Sequence, residues 1–142
     1  MKIQVKKLYE DAILPTRGSE HAAGYDLYTN EHHIIYPGET IKIGTGLSFA
    51  LPENTFGAVF ARSGWATNRG LRPANCVGVC DSDYRGEYIV ALHNDSKFTW
   101  DIDPGDRIAQ LVILPYIPVE FEEVDTLDET KRGDGGFGST GA

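Results

Sequence analysis

Glycine and proline interrupt this chain at such short intervals that a fold of long helices is hard to build from it. Sixteen glycines and seven prolines stand among 142 residues. Between them lie short runs rich in Ile, Val, Tyr and Phe, residues that suit a pleated, half-buried surface. These runs predict strands at Ile3–Lys7, His33–Tyr36, Thr40–Ile43, Leu47–Ala50, Gly57–Phe60, Glu87–Asn94, Phe98–Ile102, Arg107–Leu114 and Val119–Glu122. Pro37-Gly38, Pro52-Glu53-Asn54 and Pro104-Gly105 supply turns between them. Strands recurring this often predict an all-β chain, a jelly-roll-like sandwich or barrel. One segment departs from the pattern. Ser63–Gly70 reads as a short helix, with Ser63 near its N-cap and Gly70 as its stop.

Charge narrows the function. Thirteen basic against 21 acidic residues leave a net charge of −8. A nucleic-acid partner would need a basic face, and none is evident. No stretch approaches the roughly 20 apolar residues of a membrane span. The opening MKIQVKKLYED has no apolar signal core, so a cytoplasmic protein is expected. Cys76 and Cys80 have no second pair with zinc-ligand spacing and read as small apolar side chains in a reduced compartment. His21, His32, His33 and His93 make no metal motif.

The acidity is uneven. Residues 1–119 carry 14 acids and 11 bases, a net of −3, whereas residues 120–142 carry 7 acids and 2 bases, a net of −5. The chain therefore reads as one domain: a β body over 1–119, then an acidic connector and a glycine-rich arm over 120–142. An arm of this kind is expected to reach a neighbouring subunit.

Four segments hold residues suited to chemistry. In Ala61-Arg62-Ser63-Gly64, a small residue and a hydroxyl at a helix start sit beside an arginine, a combination suited to an anion such as phosphate. In Gly78–Gly86, Asp81 and Asp83 would point to one side if the segment is extended. Paired carboxylates can hold a water or a metal, or can simply form a turn. Along Asp106–Ile113, alternation puts Arg107 and Gln110 on opposite faces, and Gln110 could donate to a ligand oxygen. The arm segment Arg132–Gly141 holds five glycines in ten positions. Its backbone donors, Arg132, Ser139, Thr140 and the ring of Phe137 fit a nucleotide, with the ring over a base and the rest on phosphates. It is neither a Walker A loop nor a Rossmann turn.

Taken together, five ordered motifs resemble the trimeric deoxyuridine triphosphatase (dUTPase) family. They are Ala23-Gly24-Tyr25-Asp26-Leu27-Tyr28, Arg62-Ser63-Gly64-Trp65-Ala66, Asn75 through Gly86, Gly105-Asp106-Arg107-Ile108-Ala109-Gln110-Leu111, and Arg132 through Gly141. The resemblance implies a jelly-roll homotrimer with shared active sites, each closed by the C-terminal arm of another subunit. It implies Mg²⁺-dependent hydrolysis of dUTP to dUMP and pyrophosphate, which keeps uracil out of DNA and supplies dUMP for thymidylate synthesis. By the same resemblance, Asp81 orients and deprotonates the attacking water. Asp26 helps hold magnesium through water, the ion being held mainly by the triphosphate. Arg62, Ser63, Gly64 and Gln110 meet phosphate oxygens, and Arg132, Gly138, Ser139 and Thr140 take the outer phosphates. Asn75 and main-chain groups near Gly78 and Ile89 read uracil. Tyr84 lies under the sugar and Phe137 closes over the base. Two residues depart from the family pattern: Trp65, where a small aliphatic is commoner, and Cys80, where Ile or Leu is usual.

Two other readings share these residues. A dCTP deaminase-like enzyme on the same fold would need a catalytic glutamate where Asp81-Ser82-Asp83 stands, and would release ammonia. A nucleotide-sensing regulatory module would bind without turnover.

Overall fold

The computed structural model describes residues 1–141; Ala142, the last residue of the expected arm, lies outside them. Eleven strands and one helix follow in order: β1 (Gln4–Lys7), β2 (Tyr25–Tyr28), β3 (His33–Ile35), β4 (Thr40–Gly44), β5 (Leu47–Ala50), β6 (Thr55–Phe60), α1 (Ser63–Arg69), β7 (Leu71–Pro73), β8 (Gly78–Cys80), β9 (Ile89–Asn94), β10 (Trp100–Ile102) and β11 (Arg107–Pro115). All strand pairs are antiparallel. They form a four-stranded sheet ordered β2-β11-β6-β8, a three-stranded sheet β4-β9-β7, and the pairs β1-β5 and β3-β10.

The sheets face one another across a single apolar cluster rather than closing into a barrel. The four-stranded sheet contributes Leu27, Val59, Ile108, Ala109 and Leu111, and the three-stranded sheet Ile43, Leu71, Val90 and Leu92. Ile35 and Ile102 join from β3-β10, and Leu47 and Phe49 from β5. The period-two pattern is cleanest in β9, where Val90, Leu92 and Asn94 turn inward between less buried neighbours. Asn94 is buried without loss because its amide donates to the carbonyls of Ile35 (3.2 Å) and Phe98 (2.7 Å). Its Oδ1 accepts from the Ser96 amide (2.9 Å) and hydroxyl (2.7 Å).

Several sequence expectations change. Strands β2, β7 and β8, of three or four residues each, were not foreseen. Arg62, not Ser63, is the N-cap of α1, and it makes no side-chain capping bond. Gly70 does end the helix, in the left-handed conformation at φ 69°, a geometry that suits a residue without Cβ. The strand expected at Val119–Glu122 is absent. After Pro115 the described chain contains no helix or strand. No described helix is long and apolar enough to cross a membrane.

Candidate active site

A cavity of about 270 Å³ opens between β8 and the start of β9. Its lining includes Asn75, Gly78, Asp81, Tyr84 and Ile89, five of the residues singled out from the sequence, together with Cys80, Glu87 and Tyr88. Local hydrogen bonds explain how a short stretch bends around a space. Cys76 adopts a positive φ of 64° and donates its amide to the Pro73 carbonyl at 3.0 Å, turning the chain from β7 into β8. β8 then pairs with β6, Cys80 opposite Gly57.

Beyond Cys80 the chain turns at once. The Tyr84 amide donates to the Asp81 carbonyl (3.1 Å), and Arg85 Nη1 donates to the Ser82 carbonyl (2.7 Å). The segment is therefore not extended, and Asp81 and Asp83 do not share a strand face; both are exposed at the turn. Tyr84 Oη donates to the Glu87 carbonyl at 3.0 Å, which lays the ring across the turn. Gly86 makes this possible, because a Cβ there would land on the Tyr84 hydroxyl. The turn is tied to the body by Ser48 Oγ, which donates to the Arg85 carbonyl at 2.5 Å.

Behind the cavity sit the buried Tyr88 and the half-buried Cys80, neither of them expected at the site from the sequence. Tyr88 is only 2% exposed, its ring 4.5 Å from Phe49, and its hydroxyl has no hydrogen-bond partner among the described residues. The Cys80 thiol lies beside it. Burial raises the Cys80 thiol above its ordinary value and pushes the Tyr88 phenol well above its own. No local sequence signal marks Tyr88 as pocket-lining; its place follows from the turn that precedes it.

A second cluster gathers Asp26, Arg62, Arg107 and Gln110. Arg62 Nε donates to Asp26 Oδ1 at 2.7 Å, and Arg107 Nη1 lies 3.5 Å from Asp26 Oδ2. Asp26 is largely buried, its side chain 14% exposed, so these charges are poorly screened. Gln110 Nε2 donates to the Ala61 carbonyl at 2.9 Å, bracing the entry to α1. The expectation that Arg107 and Gln110 lie on opposite faces is corrected here. Gln110 pairs with Asp26 and Arg107 with Tyr28, two residues apart on β2 and so on one face. A register shift between Arg107 and Ala109 inserts the extra residue that reverses the alternation. Arg107 joins the cluster for that reason, and simple alternation could not have found it.

The arm makes a third group, apart from both. Arg132 Nε donates to the Gly135 carbonyl at 2.9 Å, and consecutive tight turns carry Gly133, Phe137 and Gly138 at positive φ. Phe137 is fully exposed. Ser63 and Gly64 are likewise exposed, at the start of α1.

A β-sandwich with a polar-rimmed pocket, a carboxylate at its mouth and separate clusters of arginines and glycine-held backbone donors defines a class: proteins that bind a phosphorylated small molecule. The family comparison is specific. The dUTPase family model matches residues 10–141. A deoxyuridine 5'-triphosphate nucleotidohydrolase of Nautilia profundicola is 45% identical over 141 residues, covering 99% of each chain. The structure of Staphylococcus bacteriophage 80alpha dUTPase, a G164S mutant with dUpNHpp, superposes with a TM-score of 0.92 at 28% identity, over 99% of each chain. A D95N mutant dUTPase from phage phi11 of S. aureus, described for its coordination of a structural Mg(II) ion, gives 0.84 at 26% identity, over 91% of this chain and all of that one. This chain belongs to the dUTPase family.

Proposed function

We propose that the protein hydrolyses dUTP to dUMP and pyrophosphate at a site that three copies of the chain assemble. The observation that carries this reading is the cavity lined by Asn75, Gly78, Asp81, Tyr84 and Ile89. A small, half-apolar space with an amide side chain and main-chain groups on its walls suits a planar pyrimidine. Asn75 and the backbone near Gly78 and Ile89 would read the uracil edge, and the narrow opening would exclude a 5-methyl group. Tyr84, held across the turn by its bond to Glu87, would lie under the deoxyribose and leave no room for a 2′-hydroxyl.

Asp81 stands at the rim as the carboxylate that orients a water and accepts its proton as the water oxygen bonds to the α-phosphorus. The bond from that phosphorus to the α,β-bridging oxygen breaks, and pyrophosphate leaves. A positioned base of this type contributes roughly 10²–10⁴-fold. Arg62, Ser63, Gly64 and Gln110 would meet the phosphate oxygens, with Asp26 keeping the Arg62 guanidinium aligned. From the arm, Arg132, Gly138, Ser139 and Thr140 would hold the outer phosphates while Phe137 closes over the base.

The chemistry of the donor set fits a magnesium ion delivered with the triphosphate. Among the described residues no three His, Cys, Asp or Glu side chains are grouped to hold a metal. Magnesium prefers to keep several waters and bind through substrate phosphates. Asp26 has lone pairs left after its two arginine contacts, enough to accept from a metal-bound water. When bound, the ion neutralises charge that builds on the triphosphate.

Trimer assembly is part of the same proposal. Ile117, Val119 and Phe121 alternate along the connector and are 84%, 67% and 93% exposed, a row of apolar side chains outside any described strand. A neighbouring subunit would supply that partner and receive the arm. A cytoplasmic location accompanies the reading, since two free thiols, one of them exposed, suit a reducing compartment. The test is incubation with each deoxynucleoside triphosphate and Mg²⁺, with pyrophosphate and ammonia assayed together. Pyrophosphate from dUTP, without ammonia and without turnover of dCTP, is the expected result. Ammonia release would favour the deaminase reading, and binding without turnover the regulatory one.

A further inference from the structure

Helix α1 carries Ser63 and Gly64, and its first residues are held from outside the helix, by Gln110 on the Ala61 carbonyl and Asp26 on Arg62. It has seven residues, no side-chain capping bond and no acidic residue in its first turn. Isolated helices of this length are unstable, so the body must fix its pose. A second hold lies at the opposite end. The Arg69 guanidinium carbon sits 5.2 Å from the centroid of the Trp65 ring and 5.3 Å from that of Trp100. One indole belongs to the preceding turn of the same helix and the other to β10. No described carboxylate pairs with Arg69; its charge rests on two aromatic faces.

Trp100 is itself anchored. Its indole N–H donates to Ser96 Oγ at 3.0 Å, and that hydroxyl donates to the buried Asn94 at 2.7 Å. The Asp95 amide donates to the Gly70 carbonyl at 2.8 Å, closing the loop onto the helix end. A continuous chain of contacts thus runs from a buried core asparagine to the last turn of α1.

We infer that Arg69, stacked between Trp65 and Trp100, is a positioning residue that sets the pose of α1 and so presents Ser63 and Gly64 to the triphosphate. This rests on the proposed dUTPase reading, and it explains why a bulky Trp65 suits this chain: it is half of the clamp. Losing the stack should weaken phosphate binding by about tenfold, of the order a cation over aromatic faces supplies. The uracil pocket, built from β8 and β9, should not notice.

The experiment compares wild type, Arg69→Met and Arg69→Lys by calorimetry with two ligands, dUpNHpp and deoxyuridine, the second having no phosphate. Arg69→Met is expected to bind dUpNHpp about tenfold more weakly and deoxyuridine as wild type does, with Arg69→Lys recovering part of the loss. Both tryptophans of the chain lie in the stack, so tryptophan emission should change in Arg69→Met without any ligand. Unchanged dUpNHpp affinity in Arg69→Met, or equal weakening of both ligands, would overturn the inference. If wild-type protein neither binds dUpNHpp nor turns over dUTP, the functional reading itself fails, and the emission change alone then reports on the clamp.

Discussion

Asp81 and Tyr88 are a few residues apart in sequence and opposite in character. Asp81 is exposed at the cavity rim, free to hold a water; Tyr88 is enclosed, its hydroxyl without a partner. Asp81→Asn keeps the shape and the hydrogen-bonding reach but cannot take a proton. It should bind dUpNHpp normally while turnover falls roughly 10²–10⁴-fold, measured by pyrophosphate release. Near-normal turnover would remove Asp81 from its role. For Tyr88 the expected effect is on stability. A buried hydroxyl left unpaired costs about 1–3 kcal/mol, so Tyr88→Phe should raise the urea midpoint. A lowered midpoint would mean that the neighbouring Cys80 thiol partners the hydroxyl.

At the level of elements, β11 organises the site. It pairs with β2 on one side and β6 on the other, and its bulge swings Arg107 onto the face that Gln110 and Asp26 occupy. The arm is the contrasting element: turns of its own and no strand or helix. Deleting residues 132–142 should therefore leave the melting temperature of the body unchanged while dUTP hydrolysis nearly vanishes. Loss of the folded state on deletion would show that the arm is part of the core. Helix and strand existence was legible wherever a run exceeded four or five residues, as in β6, β9 and β11. The three-residue strands β7 and β8 were not, because pairing with β9 and β6, not their own side chains, makes them strands.

The whole molecule presents two predictions. The cavity, the Asp26 cluster and the arm lie apart in one chain, so complementation can test whether copies share sites. Refolding Asp81→Asn together with the 132–142 deletion should restore activity, with about one quarter of sites in a random mixture pairing an intact Asp81 with an intact arm. No recovery would argue for sites built within single chains. The second prediction concerns pH. Burial raises the Cys80 thiol and Tyr88 phenol above their ordinary values of 9.0 and 10.0. Well below pH 9 both groups are neutral folded or unfolded, and their contribution to stability is fully present. As pH rises further, the unfolded chain releases these protons while the folded chain retains them, so stability declines from about pH 9 upward. Urea melts across that range should show the decline, and Tyr88→Phe should make its upper part shallower.

The amino-acid order alone determined the β character, the helix stop at Gly70, the acidic arm and the five motifs that carry the family resemblance. These depend on local rules: side-chain shape, glycine's tolerance of positive φ, and charge along the chain. Tertiary structure decided the rest: that Asp81 and Asp83 part at a turn, that Arg107 crosses to the face of Gln110, that Tyr88 backs the cavity, and that Arg69 lies between two indoles. Each of these is set by pairing register or packing between segments distant in sequence, and no local pattern encodes a register that a partner strand imposes.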